Sequence, residues 1–167
     1  MSQARLPLRE GQSVPDVTFR LRRNGEWATV TSADIFAGKN VVVFSLPGAF
    51  TPTCSSTHLP RFNELAPVFA EQGIDSIVCI SVNDPFVMSA WGQRDGSEDI
   101  TMIADGNGAF ADATGLAFDG SQFGMGKRSQ RYSMLVNDGV VEQLNLEQPG
   151  EYRASSAEYM LDQLATA

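Results

Sequence analysis

From Val17 to Arg23 the residues VTFRLRR alternate between apolar and polar. That period of two predicts a half-exposed strand, and the Asn24-Gly25 pair after it suits a tight hairpin turn. The next pattern is different in kind. NVVVFSL (Asn40 to Leu46) is an unbroken apolar, β-branched run, as expected of a strand covered on both faces. Between Ser55 and Ala70 the apolar residues Leu59, Phe62, Leu65, Ala66 and Phe69 recur three or four positions apart and so share one face of a helix. IDSIVCISV (Ile74 to Val82) is a second buried strand. It gives way to a helix at Asn83-Asp84-Pro85, where Asp84 serves as a cap and Pro85 suits the first helical position. A short strand near Thr101 to Ala104 and a helix after Gly108 follow. RYSMLV (Arg131 to Val136), the turn Asn137-Asp138-Gly139 and VVEQLNL read as a hairpin. Ser155 to Leu164 closes the chain as an amphipathic helix capped by Ser155 or Ser156, with Glu158 near its start.

Strand, helix, strand, helix, then hairpin and helix define an α/β architecture with a mixed central β-sheet flanked by helices, and the thioredoxin-like fold is the small fold that fits this order best. No internal repeat or low-complexity segment breaks the chain, so residues 1–167 are expected to form a single domain, with the first fifteen residues as an arm packed on it.

Composition narrows the function. A formal charge of -8 disfavours nucleic acid and anionic membrane surfaces, which need a basic face. The N-terminus has no apolar stretch of signal-peptide type, and no run of about eighteen apolar residues suits a membrane span, so a cytoplasmic location is expected. Two cysteines are too few for a disulfide framework and fit a reducing compartment.

Of the two, Cys79 lies inside the apolar run IVCIS and reads as core packing, with burial raising its pKa. Cys54 lies in PGAFTPTCSSTH, among small polar residues at a loop-to-helix corner. Thr51 is a good N-cap and Pro52 suits the first helical position, which places Cys54 in the first turn. There the free backbone N–H groups and the macrodipole favour an anionic sulfur, and the corner is expected to expose it. Pro60 removes one backbone bond further along and predicts a kink, a mechanically weak start that would let Cys54 move between packed and exposed positions. His58, one helical turn past Cys54, faces the same side but is read as a solvated or hydrogen-bonded residue of minor effect. A Cys-His metal site is the weaker alternative, because zinc or copper wants three or four side-chain ligands and His58 is the sole histidine.

In PGAFTPTC, Pro47, Thr51 and Cys54 stand at the spacing of the peroxiredoxin active-site signature. CSSTHLPRF, SVNDPFVMSAW and RYSMLV, in that order, also resemble the plant type II peroxiredoxins and their bacterial relatives. This resemblance implies a thiol peroxidase that reduces hydrogen peroxide and alkyl hydroperoxides through a sulfenic acid at Cys54, with no cofactor. It gives Thr51 a hydroxyl to bind the peroxide, Arg131 the role of catalytic cation, with Arg128 as its competitor, and Pro47 the role of shielding the sulfur. Phe50 and Phe123 are candidate apolar walls of the peroxide pocket. The subfamily's C-terminal resolving cysteine is missing from EYRASSAEYMLDQLATA. A one-cysteine cycle is therefore expected, with glutathione and glutaredoxin as the external reductant and thioredoxin the alternative. The large apolar residues Phe86, Val87, Met88 and Trp91 in one short helix, together with the resemblance, suggest a homodimer through Asn83–Trp91. A non-enzymatic peroxide sensor would use the same residues.

Overall fold

The computed structural model of the chain describes residues 6–96 and 98–166. Strands β1 (Thr18–Arg23) and β2 (Glu26–Thr31) form an antiparallel hairpin, with Asn24 and Gly25 both at positive φ (52° and 78°) as a tight two-residue turn requires. The short helix α1 (Ser32–Phe36) follows, opened by a reciprocal capping box between Thr31 and Asp34.

Five strands make the central sheet: β3 (Asn40–Leu46), β4 (Ser76–Ser81), β5 (Ile100–Ala104), β8 (Tyr132–Asn137) and β9 (Val140–Leu146). Their order is β5-β4-β3-β8-β9, with β3, β4 and β5 parallel and β8 and β9 antiparallel additions, so the sheet is mixed. As the central strand, β3 has neighbours on both edges, and Val41 to Phe44 and Leu46 are fully buried. Each such side chain contributes roughly 1.5–3 kcal/mol by leaving water. Between β5 and β8 the chain forms α4 (Ala109–Thr114) and a small hairpin of β6 (Ala117–Asp119) and β7 (Lys127–Ser129) that the hydrophobic pattern does not announce.

Helix α2 (Leu59–Glu71) covers β3 through an aromatic column. Phe44 stacks on Phe62 at 4.2 Å, Phe62 on Phe69 at 5.6 Å, and the His58 ring lies 4.9 Å from Phe44. Helices α3 (Pro85–Asp95) and α5 (Ala157–Thr166) complete the layers. Asp84 caps α3 by accepting from Val87 N–H at 2.8 Å, and Ser156 caps α5 by accepting from Tyr159 N–H at 3.2 Å. The Ser155 hydroxyl is used elsewhere.

The described part of the N-terminal arm runs along the β9 edge: Gly11 N–H donates to Val141 O, Val141 N–H to Gln12 O, and Val14 N–H to Gly139 O. Residues 1–5 of the expected arm lie outside the described residues. Helix α3 does not crowd its apolar residues onto an exposed face, because Met88 and Trp91 point into the core of the same chain. Of the four large apolar residues only Phe86 is well exposed, edge-on to Trp27 at 5.5 Å.

Candidate active site

Proline at position 47 has no N–H to continue the ladder, so β3 pairs with β4 as far as Leu46 opposite Ser81 and the chain then turns. The loop 47–51 is tightly held. Ala49 N–H donates to Asn83 Oδ1 at 2.9 Å, and Ser81 Oγ donates to the same oxygen at 2.6 Å. A side chain at Gly48 would place its Cβ 3.0 Å from Arg128 Nη1 and 3.3 Å from Thr51 Cγ2, so only glycine fits without displacement. Phe50 takes a positive φ of 64°, a strained conformation for a bulky residue.

The helix start differs from expectation. Thr51 turns its hydroxyl back to donate to Gly48 O at 2.6 Å, which closes the loop instead of capping the helix. The segment Cys54–His58 is a π-helical turn in which Leu59 N–H reaches back to Cys54 O. Pro60 explains it. In a regular helix its ring would press on the carbonyl of Ser56, and widening the preceding turn relieves that contact. The irregularity expected from Pro60 therefore lies on the N-terminal side of the proline, around the cysteine itself. Trp91, wholly buried, holds this turn by donating from Nε1 to Ser55 Oγ at 2.9 Å.

Cys54 is fully buried, which overturns its expected exposure. Thr53 and Ser56 are exposed while Ser55 turns to Trp91, and elements distant in sequence close over the sulfur. Arg131, immediately before β8, donates from Nη2 to Cys54 Sγ at 3.3 Å and from Nη1 to His58 Nδ1 at 2.9 Å. The sulfur thus has a permanent cation within hydrogen-bonding distance. Arg128 is committed elsewhere: its guanidinium donates to Met125 O at 3.0 Å and Val82 O at 3.1 Å, fastening the β7 hairpin to the loop after β4.

His58 is also fully buried, not solvated. A guanidinium can only donate, so Nδ1 must accept, and the proton sits on Nε2, which donates to Ser155 O at 3.0 Å. Burial, and then the Arg131 charge, push its pKa down to about 3, so the ring is neutral. Both nitrogens are used, leaving neither for a metal, and among the described residues no group of three or more metal-ligating side chains occurs.

Ser155 belongs to a loop organised by Glu147. This buried carboxylate accepts from Arg153 N–H at 2.6 Å, Ala154 N–H at 3.1 Å, Ser155 N–H at 3.0 Å and Ser155 Oγ at 2.7 Å. Desolvation opposes its charge, yet the Ser155, Arg153 and Ala154 donors outweigh that cost and hold its pKa below the usual carboxylate value. Tyr152 in the same loop sets its ring edge-on to His58 at 5.2 Å and over the Arg131 guanidinium at 5.9 Å.

Above these groups opens a cleft of about 630 Å³, lined by Pro47, Thr53, Phe123, Gln130, Arg131 and Tyr152 among others. Phe123 is one of its walls. Phe50 is not: its ring turns away, 6.5 Å from Trp91 and beneath Arg94 at 4.5 Å. Cys79 lies on β4 opposite Phe44, fully buried, and burial, then the neighbouring Cys54, raise its pKa well above the ordinary thiol value. Sequence reasoning set His58 aside and missed Tyr152, Glu147 and Ser155. For His58 the four-residue spacing from Cys54 was a usable signal. The other three lie in a segment whose residues suggest only a loop and a helix start.

A buried thiol at the head of a helix, paired with an arginine that lines a cleft on a thioredoxin-like sheet, defines a thiol-based redox protein. Residues 9–161 match the Redoxin family. Hybrid peroxiredoxin hyPrx5 of Haemophilus influenzae is 54% identical over 159 residues, 93% of this chain and 66% of that protein. Rice chloroplastic peroxiredoxin-2E-2 is 46% identical over 160 residues, 92% of this chain and 71% of that protein. A crystal structure of reduced Prx3 from Vibrio vulnificus in complex with H2O2 superposes with a TM-score of 0.90 at 43% identity, covering 94% of this chain and 99% of that one. The chain belongs to the Redoxin family and, within it, to the peroxiredoxins, which are thiol peroxidases. It spans about two thirds, 66%, of the length of the hybrid relative.

Proposed function

We propose that this chain reduces hydrogen peroxide and alkyl hydroperoxides with Cys54 as the nucleophile. The observation that carries the reading is the 3.3 Å hydrogen bond to Cys54 Sγ from Nη2 of Arg131, a residue that lines the cleft. The thiolate attacks one peroxide oxygen, an S–O bond forms as the O–O bond breaks, and the departing hydroxide or alkoxide takes a proton. Sulfur is oxidised by two electrons to the sulfenic acid, which keeps one peroxide oxygen, while the other departs as water from hydrogen peroxide or as the alcohol from an alkyl hydroperoxide. Arg131 stays beside the charge as it moves from sulfur to the leaving oxygen. Thr51, whose hydroxyl proton goes to Gly48 O, offers a peroxide O–H an acceptor from the adjoining loop, and Pro47 walls the cleft without adding a donor. The relative from Vibrio vulnificus, whose structure holds H2O2, supports peroxide as the substrate class.

The cycle closes through an external thiol, which attacks the sulfenic sulfur, expels water and leaves a mixed disulfide for a second thiol to resolve. Glutathione with glutaredoxin is the reductant we favour, ahead of thioredoxin. Cys79, on a buried strand, is not the resolving thiol. The working form we propose is a homodimer through the Asn83–Trp91 region, where Phe86 stays 58% exposed beside Trp27.

Peroxide consumption by the parent, Cys54→Ser and Cys79→Ser, with glutathione/glutaredoxin and thioredoxin systems in parallel, tests this. The first substitution should abolish turnover and the second should leave it intact. Turnover surviving in Cys54→Ser, or a Cys54–Cys79 disulfide accumulating under peroxide, would refute the scheme. A single round of oxidation with no turnover would put the sensor in its place.

A further inference from the structure

Arg131, Glu147, Ser155 and His58 form a closed ring of hydrogen bonds. Glu147 N–H donates to Arg131 O at 3.0 Å. The Glu147 carboxylate gathers the N–H groups of residues 153–155, which fixes where Ser155 sits. Ser155 O accepts from His58 Nε2, and His58 Nδ1 accepts from Arg131 Nη1, which returns the ring to its start. The arginine's other terminal nitrogen is the one that donates to Cys54 Sγ.

This arrangement has a directional consequence. Arg131 needs an acceptor on Nη1 to hold Nη2 on the sulfur, and a neutral histidine is an acceptor only on the nitrogen without the proton. The Ser155 carbonyl keeps the His58 proton on Nε2, so it selects the tautomer that serves Arg131. That carbonyl is held in place by one carboxylate rather than by a regular element, because α5 begins only at Ala157. The carboxylate lies in a buried setting, which is costly unless its lone pairs are used, and three backbone N–H groups and one hydroxyl use them.

We propose that Glu147 is a positioning residue for the peroxidase reaction, acting on Cys54 only through the Ser155 carbonyl, the His58 tautomer and the Arg131 guanidinium. The claim rests on the peroxidase reading for its kinetic arm, but not for its titration arm. In Glu147→Gln an amide NH2 must replace one carboxylate oxygen. The oxygen that remains suits the three donors on Oε2, and the NH2 then faces the Ala154 N–H, donor against donor.

The test is a double-substitution cycle in the full chain carrying Cys79→Ser, so that one thiol titrates. Four proteins are compared: the parent, Glu147→Gln, Arg131→Gln and both together. The ultraviolet absorbance of the thiolate is followed against pH, and the single-turnover rate with hydrogen peroxide is measured on the reduced proteins. Glu147→Gln should slow the reaction by about tenfold or more and shift thiolate formation to higher pH, since small misplacements of a catalytic group are amplified in rate. In the Arg131→Gln background it should have no further effect, because the group through which it acts is gone. Glu142→Gln, at an exposed position on β9, should match the parent. Multiplicative losses in the double variant, or a Glu147→Gln protein within about twofold of the parent on both measurements, would overturn the proposal. Should Glu147→Gln fail to fold, Ser155→Ala removes one of the four donors and keeps the carbonyl. It must then show a smaller loss in the same direction, again absent without Arg131, and no change would equally overturn the proposal. A parent that titrates as described but does not consume peroxide would sink the proposed function and leave the positioning claim to be judged by titration.

Discussion

Two arginines three residues apart compete on paper for the role beside Cys54, and the geometry gives them sharply different consequences. In Arg131→Gln the hydrogen bond to Sγ and the one to His58 Nδ1 are both lost. A hydrogen bond to a charged group contributes roughly 1.5–3 kcal/mol. If the sulfur contact is kept or strengthened in the transition state, its loss should slow peroxide reduction by about ten- to a hundredfold. The orphaned, buried Nδ1 adds a separate cost to folding of about 1–3 kcal/mol. Arg128→Gln removes donors to the carbonyls of Met125 and Val82, which weakens the β7 hairpin but leaves the sulfur's partner in place. It should lower the unfolding midpoint and leave the reaction rate within about threefold. Arg131→Lys keeps the charge but has no planar fork to reach Sγ and Nδ1 together, and should fall between the parent and the glutamine variant. The assay is single-turnover oxidation of the reduced protein by hydrogen peroxide, with rates referred to the folded fraction. A larger loss for Arg128→Gln than for Arg131→Gln would refute the assignment of the cation. A fully active Arg131→Lys would refute the claim that the two-armed geometry matters.

Two further outcomes follow from the same cluster. Because folded His58 resists protonation until about pH 3 while the unfolded side chain takes its proton near pH 6.5, the unfolded state binds more protons in that window and stability falls as pH drops through it. The slope should approach about 1.4 kcal/mol per pH unit, with Glu147, also held below its ordinary pKa, adding in the same sense below the carboxylate range. Urea unfolding at a series of pH values checks this, and a flat profile across the window would contradict the neutral, fully bonded imidazole. The Tyr152 hydroxyl is shut off from solvent with no hydrogen-bond partner among the described residues, and burial raises its pKa to about 12. Tyr152→Phe should therefore be neutral or stabilising by up to about 1 kcal/mol with turnover unchanged, and a clear drop in the midpoint would mean that the hydroxyl has a partner.

The strands were legible because their signal is local. NVVVFSL needs burial on both faces whatever surrounds it, and Asn24-Gly25 and Asp138-Gly139 supply the positive φ that two-residue hairpins require. Asp84-Pro85 announced α3 for the same reason, since cap and first turn are adjacent in the chain. What stayed hidden was how elements meet. The apolar crowding of α3 suggested a surface patch, yet Met88 and Trp91 go into the protein's own core. The β6–β7 hairpin has strands of only three residues each, too short to carry a period.

The site divides in the same way, and Cys54 shows where the division falls. PGAFTPTC correctly placed the thiol at the start of a helix and Pro60 correctly foretold an irregular turn, because both depend on residues within seven positions of the sulfur. Exposure does not. The guanidinium that meets Sγ comes from 77 positions away, and the carbonyl that holds His58 from 97. Small polar neighbours make a corner look open, but they also leave room for an arginine and a tyrosine-bearing loop to close over it. Arg131, whose guanidinium meets this sulfur, also lines the cleft. The sulfur's partner and one wall of the cleft are therefore a single residue, so a substitution at Arg131 alters both at once, whereas one at Arg128, which neither meets the sulfur nor lines the cleft, alters neither.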